Sequence, residues 1–342
     1  MDPGRGAVPG MTALVTGATG FLGGSLARCL LAGGARVRVL VRSPAKAKRL
    51  TDAGAEVVVG DISDPRAVAA AVEGVRVVYH LAGRLLTPGV PASEYHTTHV
   101  KGTRLLLESC GRESNLERFV HCSTTGVLGS TGDRPADEKA PLRPTNAYEA
   151  TKAEAELAVR DVSGDGVPAV IVRPGLVYGP GDLHLLGFFR SVLRRQFRPI
   201  GRRPVWLHPI YIDDLTEALL RCGRRVEAVG QCFHLAGREP VPLAELAAAI
   251  ARAGGSRPPR GHIPLPVARA AAALGDRLPS DLKRSAPLTG DRLEFLTHSR
   301  VYDVTKARRL LDFTAPTDLS TGAARSLAWY RAEGYLPADG GP

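Results

Sequence analysis

The chain is poor in several features, and each shortage excludes a class of protein. Only 5 of its 342 residues are cysteine, and Cys29, Cys110, Cys122, Cys222 and Cys232 form no Cys-x-x-Cys. A disulfide scaffold is excluded and a metal site argued against, while a reducing, cytoplasmic compartment fits. No apolar run reaches the roughly 18–20 residues of a membrane span. The first ten residues, MDPGRGAVPG, lack the apolar stretch of a secretory signal and are expected to be a flexible tail. Aromatic residues make up 5% of the chain, and no aromatic-basic interleaving accompanies the net charge of +11. A solvated basic surface is therefore expected rather than a nucleic-acid partner.

Alternating apolar and amphipathic segments are abundant. Strands are expected at 12–16, 36–41, 55–60, 75–82, 117–124 and 168–174. Helical patterns lie between them, among them Phe21–Ala32, Pro65–Val72, Glu94–Cys110 and Tyr148–Arg160. This order predicts an α/β fold, a doubly wound parallel Rossmann sheet covered on both faces, with a smaller C-terminal lobe. Residues 11–182, with a return near 205–237, are assigned to the dinucleotide-binding domain. Residues 183–204 and 238–342 are assigned to the substrate lobe. The strand-like runs 205–212 and 231–237 fall within the segment 205–237, which is expected to return to the main sheet. Leu185, Leu186, Phe188, Phe189 and Trp206 suit either an apolar substrate pocket or ordinary core packing. For the apolar segment 262–278, cap packing or a dimer contact is favoured over a membrane surface.

The first strand runs into Thr16-Gly17-Ala18-Thr19-Gly20-Phe21-Leu22-Gly23. Glycines at such a strand-to-helix turn permit unusual backbone angles and close approach to a pyrophosphate. The helix behind offers unpaired N–H groups. After the second strand stands Arg42-Ser43, where an NAD site usually places an acid. A guanidinium matches a 2′-phosphate instead, so the residues favour NADP, with NAD the alternative.

Tyr148 and Lys152 are four residues apart, on one helical face. With the glycine turn, they make the chain resemble the extended short-chain dehydrogenase/reductases. The resemblance spans roughly 300 residues. It runs through "TGATGFLG" (16–23), "GDISD" (60–64), "HLAG" (80–83), "FVHCSTTGVLG" (119–129), "YEATK" (148–152), "RPGLVYGPGD" (173–182) and "YIDDLTEALL" (211–220). It implies cofactor contacts at Gly17, Thr19, Gly20, Phe21, Leu22, Gly23, Arg42, Ser43, Asp61 and Ile62, and further along at Leu81, Ala82, Gly83, Pro174, Gly175 and Val177, with Tyr148 and Lys152 shared between cofactor and chemistry. It also implies a homodimer and a small-molecule substrate, and it places the catalytic hydroxyl at Thr124, between Ser123 and Thr125. Tyr148 is the expected proton donor to a carbonyl under reduction. Lys152 is expected to favour the ionised phenol, and Thr124 to orient the substrate oxygen.

Departures from the family's pattern narrow the reaction. Thr125-Gly126 follow Thr124 where sugar-nucleotide 4,6-dehydratases carry Asp-Glu. Sugar-nucleotide epimerases often carry an Asn and an Arg where this chain has Gly175 and Leu207, although Arg202, Arg203 and Arg292 remain candidate phosphate contacts. His99 replaces a frequent Asn, as a proton relay or, by preference, a structural hydrogen-bonding group. The tail 295–313 is similar to members acting on hydroxysteroids and dihydroflavonols. The expectation is an NADP-preferring ketone/alcohol oxidoreductase for an apolar or polycyclic molecule. A nucleotide-sugar epimerase is the alternative, followed by a non-catalytic NADP-binding protein and an RNA-binding relative.

Overall fold

The computed structural model describes residues 11–87, 89–163, 166–279, 282, 286 and 288–337. The expected tail at 1–10 lies outside them. Seven parallel strands build the main sheet: β1 (Thr12–Thr16), β2 (Arg36–Val41), β3 (Glu56–Val59), β4 (Val77–His80), β5 (Arg118–Cys122), β6 (Ala169–Pro174) and, as its last member, Cys232–Leu235. Their spatial order is β3-β2-β1-β4-β5-β6 and then Cys232–Leu235. The order reverses between β1 and β4, which opens a crevice at the carboxyl ends of the strands, where α/β proteins bind ligands.

Period-two alternation explains why helices cover both faces. Ala13, Val15, Val37 and Val39 point into one core cluster, with Leu26 and Leu30 of helix α1 (Phe21–Ala32). Leu14, Val78 and Phe119 point into a second, on the opposite face. Helices α2 (Pro44–Asp52), α3 (Pro65–Val72), α4 (Ala92–His96), α5 (Gly102–Cys110) and α6 (Ala147–Val162) complete the first half. Each fully buried Leu or Phe contributes about 1.5–3 kcal/mol, so the sheet is the rigid platform of the site.

Two expectations change. The helix expected at Glu94–Cys110 is broken into α4 and α5 by one π-helical turn, Thr97–Lys101, centred on His99. The run 205–212 stays out of the main sheet. Trp206–Leu207 pairs antiparallel with Val241–Pro242, and Pro209–Tyr211 pairs in parallel with Leu176–Tyr178. Pro204 precedes this run and Pro209 lies within it, and proline donates no ladder hydrogen bond. Only Cys232–Leu235 returns, beside β6.

Helices α7 (Leu186–Leu193), α8 (Ile212–Arg224), α9 (Leu243–Ala253), α10 (Leu265–Asp276) and α11 (Gly290–Thr297) follow, before helices Thr305–Leu311 and Leu319–Ala332. A third core cluster, with Leu185, Phe189, Leu246, Ile250, Leu327 and Tyr330, holds α7, α9 and the last helix together.

Candidate active site

The crevice continues into a cleft of about 690 Å³. Its floor is the glycine turn. Gly17 has φ +70°, and a β-carbon there would stand 2.6 Å from the Leu81 carbonyl oxygen. One at Gly23 would stand 2.3 Å from the Gly17 oxygen. Any side chain at either position would push the turn out of place. Gly20 begins α1 with no side-chain cap and no acid in the first turn. The first N–H groups of α1 are thus left to an anion, and the turn fits the pyrophosphate of a dinucleotide.

Arg42, at the end of β2, and Lys46 line the same cleft. The Arg42 side chain is 78% exposed, with its nearest acid, Asp61, at 3.9 Å. Burial raises the Asp61 carboxyl, but hydrogen bonds from Ser63 and the charges of Arg42 and Lys101 outweigh it and hold the group below the usual range. Thr19, Phe21, Leu22, Ile62, Leu81, Ala82, Gly83, Pro174, Gly175 and Val177 also line the cleft. Ser43 does not. It stands before α2, and its side chain makes no cap bond there.

Thr124, Tyr148 and Lys152 meet in the cleft. The Ser123 hydroxyl donates to Glu156 at 2.9 Å and Thr125 to the Pro174 carbonyl at 2.9 Å, both buried. Thr124 accepts from the Gly126 N–H at 3.1 Å, and its hydroxyl is hydrogen-bonded to the Tyr148 phenol. Of the three hydroxyls in "STT", Thr124 is thus the one that faces the phenol, whereas Ser123 and Thr125 are spent on Glu156 and Pro174.

Asn146 caps α6 by accepting from the Glu149 N–H, which sets the helix's start and aims Tyr148 and Lys152 the same way. The expected electrostatics between them are not those observed. Loss of solvent pushes the Tyr148 phenol well above its ordinary range, helped by Cys122, with Thr124 pulling weakly the other way. Burial also lowers Lys152. Its ammonium donates to the Cys122 carbonyl at 2.7 Å. The phenol therefore stays protonated through neutral pH, as a proton donor to a ketone requires.

Glu156 and Glu149, which position this centre, carried no sequence signal, whereas His99 takes the structural hydrogen-bonding role preferred for it. Glu156, fully buried one turn beyond Lys152, receives Arg173 Nε at 3.0 Å and the Ser123 hydroxyl. This buried pair fixes α6 against β5 and β6. Glu149 accepts twice from Thr145 at 2.8 Å and faces Arg300 at 3.4 Å. His99 is engaged at both nitrogens. Nε2 accepts from the Arg84 N–H at 3.0 Å, and Nδ1 contacts the Thr151 hydroxyl at 2.9 Å. Thr151 in turn donates to Ala147 O at 2.8 Å, which leaves Nδ1 as the donor. The His99 ring sits edge-on to Tyr148 at 5.5 Å. Burial and then Lys152 lower its pKa to about 3, so it clamps the cofactor-facing loop to α6 as a neutral group.

Of the two readings open for Leu185, Leu186, Phe188, Phe189 and Trp206, packing away from the cleft is the one found. Leu185, Leu186, Phe188 and Phe189 join the third core cluster, and Trp206 edges a two-stranded sheet. None lines the cleft. The wall is made by Leu85, Leu86, Leu176, Leu207 and Phe295, with Asp291, Glu294 and Arg300 at its edge. Arg202 and Arg203 are not part of it either, and Arg292 is turned to the Ala286 carbonyl.

Three buried histidines, His80, His99 and His121, lie behind the centre. His80 bridges the Thr16 and Thr103 hydroxyls at 2.8 and 2.9 Å, and His121 lies 5.3 Å from it with neither nitrogen hydrogen-bonded. Burial holds His80, His99 and His121 neutral, with their pKa values below the usual range. The unfolded chain binds more protons than the native state below about pH 6.5. The stability these groups contribute is full above that pH and is lost as pH falls. Thermal unfolding should therefore show Tm dropping on mild acidification. His121→Leu should flatten that drop by up to about 1.4 kcal/mol per pH unit, whereas an unchanged slope would mean that His121 is not held neutral.

Comparison with known proteins places these features. Residues 13–235 match the family described as NAD dependent epimerase/dehydratase. The chain is 32% identical over 274 residues to a 4-hydroxy-2-methyl-3-oxo-4-farnesyl-3,4-dihydroquinoline-1-oxide ketoreductase of Stigmatella aurantiaca, covering 78% of this chain and 80% of that one. It is 31% identical over 321 residues to a 3 beta-hydroxysteroid dehydrogenase/Delta 5→4-isomerase of Mycobacterium tuberculosis, covering 88% and 85%. Among solved structures, UDP-glucuronic acid 4-epimerase of Bacillus cereus in complex with NAD superposes with a TM-score of 0.74 at 21% identity, over 94% of this chain and 99% of that one. That last likeness is one of fold.

Proposed function

The chain belongs to the NAD dependent epimerase/dehydratase family, as an NAD(P)-dependent enzyme acting on CH–OH and C=O groups, and on that footing we propose that it is an NADP-preferring oxidoreductase interconverting a ketone and a secondary alcohol on an apolar or polycyclic molecule. The observation that carries the proposal is the convergence of a hydroxyl that faces the phenol (Thr124), one protonated phenol (Tyr148) and an apolar wall in a single cleft. The named substrates of the ketoreductase and steroid-dehydrogenase relatives are of the same greasy class.

A nicotinamide cofactor held by Gly17, Gly20, Gly23, Arg42 and Lys152 would supply the hydride for the carbonyl carbon. Thr124 donates a hydrogen bond to the substrate oxygen, and Tyr148 Oη delivers the proton that the alkoxide needs. Lys152, held by the Cys122 carbonyl, supplies fixed positive charge at the ribose side. His99 and Glu156 keep α6 in register without touching the substrate.

The nucleotide-sugar alternative has a specific observation against it. A β-carbon at Gly175 would stand 2.3 Å from the His208 oxygen, so the position does not accommodate the asparagine that such epimerases often carry. Leu207 is buried where their arginine is expected.

NADPH and NADH oxidation measured against apolar ketones, sterols and UDP-sugars tests the proposal. Consumption of NADPH with an apolar ketone is expected. Interconversion of UDP-sugars without net NADPH loss would favour the alternative. Arg42→Asp should lower kcat/KM with NADPH by about tenfold or more while sparing NADH. An unchanged ratio between the two cofactors would remove Arg42 from the site.

A further inference from the structure

Two segments of the chain carry basic charge with no acid of their own. Residues 183–212 contain six arginines and no aspartate or glutamate, and residues 246–275 contain four arginines and no acid. The fold stitches the two segments together. Gly201 N–H donates to Ile263 O, and Ile263 N–H to Pro199 O, each at 2.8 Å. Of these arginines, Arg252 pairs with Glu245, and Arg190 reaches the Tyr335 carbonyl. Arg194, Arg195, Arg198, Arg202 and Arg203 on one segment are exposed and have no carboxylate partner among the described residues. The same holds for Arg257, Arg260 and Arg269 on the other.

Helix α10, within and just beyond the second segment, carries an apolar stripe. Its inner side, Ala268, Ala272 and Gly275, is buried. Val267, Leu274 and Leu278 are 58%, 64% and 40% exposed. Spaced by seven and four residues, they fall on one side of the helix and its continuation. Asp276, at the end of α10, accepts from the Gly290 N–H at 3.0 Å. Through Gly290, α10 braces α11, whose Asp291, Glu294 and Phe295 form the outer wall of the cleft.

We propose that the arginine face and the α10 stripe together dock the enzyme on an anionic membrane surface. Unpaired arginines complement anionic headgroups, and Val267, Leu274 and Leu278 enter the acyl boundary. Peripheral binding needs both contributions at once. A nucleic acid would use the charge but leave the leucines in water, and Phe188 and Phe197 pack on each other at 4.9 Å rather than standing open to bases. No helix among the described residues is long and apolar enough to cross a membrane, so the contact is interfacial. Docking would turn the cleft wall toward the phase in which an apolar ketone resides. That last consequence rests on the proposed function, but the docking itself does not, and it is read without any substrate.

The experiment is flotation of the full chain with vesicles of phosphatidylcholine alone and of equimolar phosphatidylcholine and phosphatidylglycerol, at low and high salt. Binding to the anionic vesicles alone, reversed by salt, is expected. Arg202→Glu with Arg203→Glu, and separately Leu274→Glu, should each weaken it by about tenfold or more, with NADPH binding and melting temperature preserved. If either variant fails to fold, the glutamine versions give the same comparison. Absence of flotation with wild-type protein overturns the proposal. So does flotation indifferent to Leu274→Glu together with equally tight binding of single-stranded RNA, which would mark a charge-only surface. Loss of a dimer in Leu274→Glu with flotation unchanged would assign the stripe to a second copy and overturn it as well.

Discussion

Tyr148→Phe should lower kcat by about 10²–10⁴-fold, the usual worth of a positioned general acid, while NADPH binding survives. The ring is kept, so its edge contacts with His99 at 5.5 Å and Tyr95 at 6.4 Å are kept with it. Only the hydroxyl that delivers the proton is lost. Stopped-flow turnover beside NADPH fluorescence titration separates the two effects. The raised phenol pKa adds a sign. Burial favours the protonated form, so ketone reduction should be flat through neutral pH and fall on the alkaline side, whereas alcohol oxidation should rise there. His99, lowered to about 3, should contribute no limb near neutrality. Near-normal turnover in Tyr148→Phe would remove this residue from the chemistry.

Glu156→Ala should cost about 3–5 kcal/mol, because it strands the Arg173 guanidinium in a site with no exposure. Against a typical total stability of about 5–15 kcal/mol, that is a loss visible in yield as well as in the denaturation midpoint. Glu156 also takes the Ser123 hydroxyl, so its removal frees a second hydroxyl beside Thr124 and loosens the helix that carries Tyr148 and Lys152. Glu156→Gln, which keeps acceptor and shape, should be milder. Urea unfolding with an unchanged m-value and a shift below about 1 kcal/mol would show that the pair does not hold α6.

The local parts of this architecture were written plainly in the sequence. The strands at 12–16 and 36–41 and the helix Phe21–Ala32 stand where periodicity and the glycine turn put them, since both signals depend on neighbours in the chain. What failed depended on distant partners. Apolar spacing in Leu185–Phe189 says that a face is buried but not against what, and the partners turned out to be α9 and the last helix. The π-helical turn at His99 adds no break in the apolar pattern. Lys152 reads as a charge beside a tyrosine until the Cys122 carbonyl, thirty residues upstream, takes its ammonium. Glu156 and Arg173 are ordinary charged residues until the fold closes over both. Thr124 lies between these cases. The resemblance pointed to it, and the engaged hydroxyls of Ser123 and Thr125 give the physical reason.

The central claim is net hydride transfer to a carbonyl in this cleft. Its most direct measurement uses NADPH deuterated at the transferring C4 position, with the best apolar ketone as acceptor and the product alcohol analysed by mass spectrometry. The account predicts one deuterium on the carbinol carbon for each NADPH consumed, and none with Tyr148→Phe over the same interval. Alcohol formed without label, or label found only in cofactor that is never consumed, would contradict it.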